Sequence, residues 1–220
     1  MILVAHAAGM EAGALDQLAD SLPLARRERA ERFARPVDRA SCIVVHALLE
    51  FVWNQVSRDP LPPITTGRWG KPRFAPGTPW QFNLSHDAGV CVCVLARSAV
   101  GIDVQSRVRF DAGMLARFAA PAELTHEADY RAADDLSALW TRKEAVVKRT
   151  GRGIGADLGS IDTTRMRDLR TYRSDAFGVH LSVSARGIAA APPEFVTLTR
   201  KDSRWQHALG DGWGELGTGR

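Results

Sequence analysis

Three strand-like runs, at residues 80–85, 90–96 and 100–105, are separated only by short turns containing Asp87-Ala88-Gly89 and Arg97-Ser98-Ala99. That spacing constrains the fold more than any other feature. A parallel crossover needs a dozen or more residues, so three runs this close predict an antiparallel meander. Within the second run Cys91 and Cys93 stand at period two among valines, which puts both on one strand face as small core residues.

Helices are expected on either side of these strands. After a strand at residues 1–5 come a short helix at 11–21 and a longer one at 37–56, where Val44, Leu48, Phe51 and Val52 recur at helical spacing. Pro60, Pro62, Pro63 and Gly67 break that pattern. Beyond Val104 helices return at 112–119, from Pro121, and from Asp134-Asp135 to about Arg149, where Gly151, Gly153 and Gly155 stop the last one. Residues 178–184 and 195–200 alternate like strands. The glycine-rich end from Lys201, with Gly210, Gly212, Gly214, Gly217 and Gly219, is expected to fray. The fold class is therefore α/β (α+β), with helices and small antiparallel sheet in each half.

With 45% hydrophobic residues, 220 residues can bury a core in one or two units. The longest apolar runs fall short of the roughly 20 residues a membrane helix needs, and the first residues lack the charged start and long apolar stretch of a signal peptide. Three cysteines, Cys42, Cys91 and Cys93, are too few for a disulfide framework or a four-ligand zinc site, so a cytoplasmic setting is expected. A net charge of +4 does not by itself demand nucleic acid. Arg26, Arg27, Arg29, Arg32, Arg35 and Arg39 crowd one helical stretch among Glu28, Glu31 and Asp38. They read either as a solvated face with local ion pairs or as an anion site.

Chemistry concentrates in four segments. A helix over 140–148 stacks Trp140, Glu144 and Lys148 on one face: an aromatic anchor, a carboxylate and an ammonium. On an extended strand Asp103 and Gln105 point to the same side, and with Glu144 they form a candidate magnesium set. Read alone, Asp103 is equally a turn or surface residue. Gly70-Lys71-Pro72-Arg73 is no P-loop, since neither the glycine spacing nor a following Ser or Thr is present. Pro72 instead rigidifies a turn from which Lys71 can present a point charge to phosphate, unless it is simply a surface lysine. Ser85-His86-Asp87 cannot form a catalytic triad, because neighbours on a strand face opposite ways. His86 reads instead as a donor to phosphate oxygen. Gly151, Gly153 and Gly155 follow a helix, whereas a dinucleotide fingerprint follows a strand and opens a helix.

In this order, Gly70-Lys-Pro, Phe82-Asn-Leu-Ser-His86, Val100-Gly-Ile-Asp-Val-Gln105 and Trp140 to Lys148 resemble the 4′-phosphopantetheinyl transferases of the large, pseudodimeric Sfp type. The resemblance spans roughly residues 23–160. It implies two similar subdomains, 1–99 and 100–220, related by a pseudo-twofold, with the active site at their interface. It also implies transfer of the 4′-phosphopantetheine arm from coenzyme A to a serine of an apo acyl or peptidyl carrier protein, releasing adenosine 3′,5′-bisphosphate. The implied coenzyme A contacts are Arg26, Arg29, Lys71, Pro72, Ser85, His86, Asp103 and Lys148. Arg26 and Arg29 would meet the 3′-phosphate, a later basic contact being lost near Ser41. Asp103, Gln105 and Glu144 would hold Mg2+, and Glu144, Lys148 and His86 would carry the catalysis. The type commonly reads Gly-Ile-Asp-x-Glu, so Gln105 replaces an acid and is expected to be a secondary ligand.

A monomer can form the whole site, and mild positive charge suits an acidic carrier docking near the junction, with the helix around Met114 to Phe118 a candidate surface. Two other classes stand beside this reading. Gln105 motivates a catalytically weak coenzyme A-binding module. A sequence pI near 9.3 motivates nucleic-acid binding, but no interleaved aromatics or reader motif accompany the arginines. Neither nucleic acid nor membrane is expected as a partner.

Overall fold

The computed structural model describes residues 1–10, 13–153, 156–188, 190, 194–201, 204–208 and 212–216. In chain order the strands are β1 (Ile2–His6), β2 (Ile64–Thr66), β3 (Pro72–Phe74), β4 (Gln81–Asp87), β5 (Val90–Ala96), β6 (Val100–Ser106), β7 (Leu169–Ser174), β8 (Val179–Ala185), β9 (Phe195–Lys201), β10 (Arg204–His207) and β11 (Gly214–Leu216). The helices are α1 (Ala14–Ser21), α2 (Leu24–Glu31), α3 (Pro36–Val56), α4 (Ala112–Phe118), α5 (Pro121–Leu124), α6 (Glu127–Ala133) and α7 (Ser137–Thr150).

Alternation along β5 sets the layering. Cys91, Cys93 and Leu95 join Leu3 and Ala5 of β1 beneath the apolar face of α3, including Ile43, Val44 and Leu48. Val90, Val92 and Val94 point the other way, packing with Ile2 and Val4 against Val100, Ile102 and Val104 of β6 and Leu181 and Val183 of β8. Both faces of β5 are thus buried, which is why it reads as a continuous apolar run rather than an alternating one. One sheet has the order β10-β9-β1-β5-β4 and the second β11-β7-β8-β6, with β2-β3 a separate hairpin. Helices α3 and α7 cover the outer faces of the two stacked sheets.

The expected meander holds for β4 and β5 but not for β6, which pairs antiparallel with β8 in the second sheet. After residues 97–99 the chain drops a layer. The β6 edge facing β4 is satisfied by side chains instead of main chain. The N–H groups of Ile102, Val104 and Ser106 donate to Asn83 Oδ1 at 2.8 Å, Ser85 Oγ at 3.4 Å and Asp87 Oδ2 at 2.7 Å. Buried amides must find partners, and three polar residues at period two on β4 supply them.

Other expectations are corrected in detail. The arginine-rich stretch forms two helices, α2 and α3, with Pro36 opening the second. The end of the chain does not simply fray: β10 pairs with β9, and β11 pairs with β7, a strand the sequence reading passed over. The first sheet is not wholly antiparallel, since β9 runs parallel to β1 and returns from beyond residue 190 to the sheet in which the chain began. Helix α7 ends as expected at Gly151, whose φ of 71° suits glycine. Gly155, Gly210, Gly217, Gly219 and the expected helix start at residue 11 lie outside the described residues.

Candidate active site

Gly101 determines how α7 lies on the second sheet. A Cβ added there would sit 2.0 Å from the carbonyl oxygen of Ala145 and 2.3 Å from the amide nitrogen of Arg149, so only glycine admits the helix backbone this close. The β6 face turned to α7 carries Gly101, Asp103 and Gln105, and β8 answers with Ser184, Ser182 and His180 in register. Polar pairs seat the helix on this face: Ser137 Oγ and His180 Nδ1 are 2.7 Å apart, and Thr141 Oγ1 and Ser182 Oγ 2.8 Å.

That seating brings together residues far apart in sequence. Lys148 Nζ donates to Asp103 Oδ1 at 2.5 Å and to Ser85 Oγ at 3.0 Å, while Ser85 Oγ donates to the same Asp103 oxygen at 2.8 Å. Asp103 is buried, and its other oxygen, Oδ2, has no hydrogen-bond partner. Burial raises the Asp103 pKa, opposed by Lys148 and Ser85. Glu144, one turn before Lys148 on α7, is half-buried, and its pKa is raised by burial first and by Asp103 second. Asp103 and Lys148 thus form an ion pair, and both act electrostatically on Glu144. Trp140, on the same helix face, packs edge-on against Phe118, with ring centroids 5.4 Å apart, as an anchor for α7.

Gln105 lies beside these residues without joining them. Its Nε2 donates to Asp87 Oδ2 at 3.0 Å, an oxygen that also accepts from Ser106 Oγ. Among the described residues no three His, Cys, Asp or Glu side chains lie close enough to enclose an ion. The donors that are present suit a hard cation that keeps several waters: an unpartnered, buried Asp103 oxygen and a neighbouring carboxylate on Glu144.

His86 faces the other way from Ser85, as strand alternation requires. It meets Phe33 edge-on at 6.2 Å. Its pKa is lowered by burial and by Lys148, with Arg29 contributing and Asp38 and Asp87 opposing. Arg26 and Arg29 of α2 both act on Cys42 of α3, and burial and Arg29 lower the Arg26 pKa. Arg26 and Arg27 are half-buried, whereas Arg29, Arg32, Arg35 and Arg39 are exposed and Arg35 pairs with Asp38 at 3.8 Å, so most of the stretch is a solvated face. Ser41 is buried and donates back to the Val37 carbonyl at 2.7 Å.

Lys71 is held more firmly than its turn suggests. Nζ donates to the carbonyls of Val100 at 2.8 Å and Arg149 at 3.4 Å, joining the Gly70-Lys71-Pro72 turn to β6 and to the negative end of α7. Burial lowers its pKa to about 8. Pro72 opens β3 directly after it.

Two sets of supporting residues escaped sequence reasoning. Asn83 and Asp87 complete the seam with β6, and their period-two spacing with Ser85 was the available signal. Glu123 and Lys143 form a fully buried ion pair; Lys143 also donates to the carbonyls of Leu158 at 2.9 Å and Ile161 at 2.6 Å, tying α7 to the loop beyond it. No local pattern marks Lys143 as buried.

Comparison with known proteins converges on one group. Residues 99–196 match the 4′-phosphopantetheinyl transferase superfamily. The 4′-phosphopantetheinyl transferase AcpT of Escherichia coli O157:H7 is 31% identical over 84% of this chain and 89% of its own length. AcpT of Salmonella typhi is 35% identical over 73% and 84%. The 4′-phosphopantetheinyl transferase Sfp of Bacillus subtilis strain 168 is 24% identical over 65% and 66%.

Proposed function

The chain belongs to the 4′-phosphopantetheinyl transferase superfamily, and on that basis we propose that it moves the 4′-phosphopantetheine arm of coenzyme A onto a serine of an apo acyl or peptidyl carrier protein. The product beside the holo-carrier is adenosine 3′,5′-bisphosphate. The observation that carries the reading is the meeting of Asp103, Glu144, Lys148 and Ser85, in which one buried carboxylate oxygen is left without a protein partner.

Asp103 and Glu144 would hold Mg2+, with Gln105 outside the direct set. Bound there, the ion supplies charge neutralisation at pyrophosphate oxygens. The chain's own residues do the rest. Glu144, or a water held beside it, accepts the proton of the carrier serine. The serine oxygen forms a bond to the phosphorus bearing pantetheine. The bond from that phosphorus to the bridging oxygen breaks, and its electron pair leaves on the adenosine-side phosphate. Lys148, one turn from Glu144, faces that developing charge, and His86 donates to a phosphate oxygen from the other side of β4. Arg26 and Arg29 bind the 3′-phosphate. Lys71 uses two of its three protons on carbonyls and keeps one for a phosphate, beside the rigid Pro72.

We read residues 1–99 and 100–220 as two units meeting at the site. In support, the chain leaves one sheet at Ala96 and enters the other at Val100, with only β9 and β10 crossing back to complete the first sheet. One chain supplies every residue named, which supports a working monomer. A cytoplasmic setting fits three buried, unpaired cysteines, and among the described residues no helix is long and apolar enough to cross a membrane. The weak-binding alternative, motivated by Gln105, is not favoured, since Lys148, Asp103 and Ser85 are assembled.

Intact mass of an apo carrier protein after incubation with this chain, coenzyme A and magnesium tests the reading. Gain of one phosphopantetheine arm is expected, lost on adding EDTA and nearly lost in Glu144→Gln with the fold retained. No gain across several carriers, despite coenzyme A binding, would refute it.

A further inference from the structure

We infer that Asp87, held in place by Gln105 and Ser106, is the third carboxylate of the cation site and sets its charge without being a direct ligand. The inference rests on the cation reading proposed above and concerns residues that reading leaves aside.

The β4 residues Asn83, Ser85 and Asp87 share the face turned to β6. Ser85 reaches Asp103, and Asp87 is the next residue along the same strand face. One oxygen of Asp87 takes three donors: Ser106 N at 2.7 Å, Ser106 Oγ at 2.5 Å and Gln105 Nε2 at 3.0 Å. Donors concentrated on one oxygen suit a negative charge and fix the carboxylate's direction. Among the described residues no Lys, Arg or His forms an ion pair with Asp87.

Charges at this corner do not balance. Asp87 is bonded to Gln105 and Ser106, the β6 residues just beyond Asp103, and Glu144 stands on α7, the helix packed over that strand. Against three carboxylates stands Lys148, which pairs with Asp103, and the nearby His86, whose pKa is lowered. Leaving such an excess of negative charge partly buried is unfavourable, and a divalent cation offsets it. Because no three acids enclose an ion, Asp87 acts through its field across the strand seam. An amide at position 105 then has a purpose: a glutamate there would place two carboxylates against each other, whereas glutamine donates to one.

The test is Mn2+ affinity, measured by electron paramagnetic resonance on the full chain with coenzyme A bound. Asp87→Asn is expected to weaken binding roughly tenfold through loss of one nearby charge. Asp87→Asn with Gln105→Glu reverses the pair, keeps an amide facing a carboxylate, and is expected to restore affinity to within about twofold of the parent. Gln105→Glu alone adds charge at the cost of the bond to Asp87 and should still tighten binding several-fold. Unchanged affinity in Asp87→Asn, or in Gln105→Glu should the first variant not fold, would overturn the inference, as would failure of the swap to restore binding. Asp103→Asn separates the two levels: parent affinity there defeats the cation reading itself, whereas loss there with no effect at Asp87 defeats only this proposal.

Discussion

Alanine at position 101 should separate α7 from β6 and show how far the site depends on that approach. The added methyl carbon would lie 2.0 Å from the Ala145 carbonyl oxygen and 2.3 Å from the Arg149 amide nitrogen, both backbone atoms that cannot rotate away. Ordinary contact between carbon and a carbonyl oxygen begins at about 3.3 Å, so the helix must withdraw by roughly 1 Å or more. Ala145 and Arg149 directly follow Glu144 and Lys148, so the withdrawal carries both functional groups with it. Overpacking of this kind costs about 1–3 kcal/mol, occasionally more, and about 3 kcal/mol would lower the melting temperature of a chain this size by roughly 6–12 °C. A 1 Å misplacement of reacting groups lowers turnover on the order of a hundredfold. Thermal or urea melts, paired with kcat/KM on an apo carrier, would measure both. Gly113→Ala is the control, because its added carbon meets only Asp111 Oδ1 at 3.4 Å and alanine favours helix α4. If Gly101→Ala melted within 1 °C of the parent and turned over normally, the claim that this glycine sets the helix position would be wrong.

Two further outcomes concern buried charge. Lys143→Met leaves Glu123 buried without its cation and removes one donor each from the Leu158 and Ile161 carbonyls, and should cost about 3–5 kcal/mol by urea unfolding; adding Glu123→Gln should recover part of it. His46 is buried with neither ring nitrogen hydrogen-bonded. Arg26 faces it from α2, Glu50 Oε1 lies 3.6 Å away, and its pKa is lowered to about 4, chiefly by burial. The unfolded chain protonates this histidine near its ordinary value and the folded chain only near 4, so stability should fall as pH drops through that window. The loss should approach about 1.4 kcal/mol per pH unit from this group. His46→Leu should flatten the pH dependence of urea stability between about pH 6.5 and 4, and an unchanged slope would show that another group is responsible.

Much of the candidate site was legible because its logic is local. Glu144 and Lys148 share a helix face by their spacing of four, Asp103 and Gln105 share a strand face by their spacing of two, and Ser85 and His86 diverge because they are adjacent. What lay outside reach was which strand edge each face would meet. Asp87 looked like a turn residue and is instead the end of a side-chain seam. Gln105 looked like a weak ligand and holds that aspartate. Lys71 read as a phosphate contact or a surface lysine, and its bonds to two carbonyls were not foreseen.

Turn lengths, apolar periods and glycine positions along the chain determine where most helices and strands begin, and which residues each turns the same way, because these are properties of a few consecutive dihedral angles. Only the tertiary structure decides that β6 abandons β5 for β8, that β9 returns to lie parallel to β1, and that Lys148 finds Ser85 and Asp103 across separations of 63 and 45 residues. Those choices depend on how two sheets stack and on which unpaired backbone groups must still find partners, and no short stretch of sequence contains both sides of such a contact.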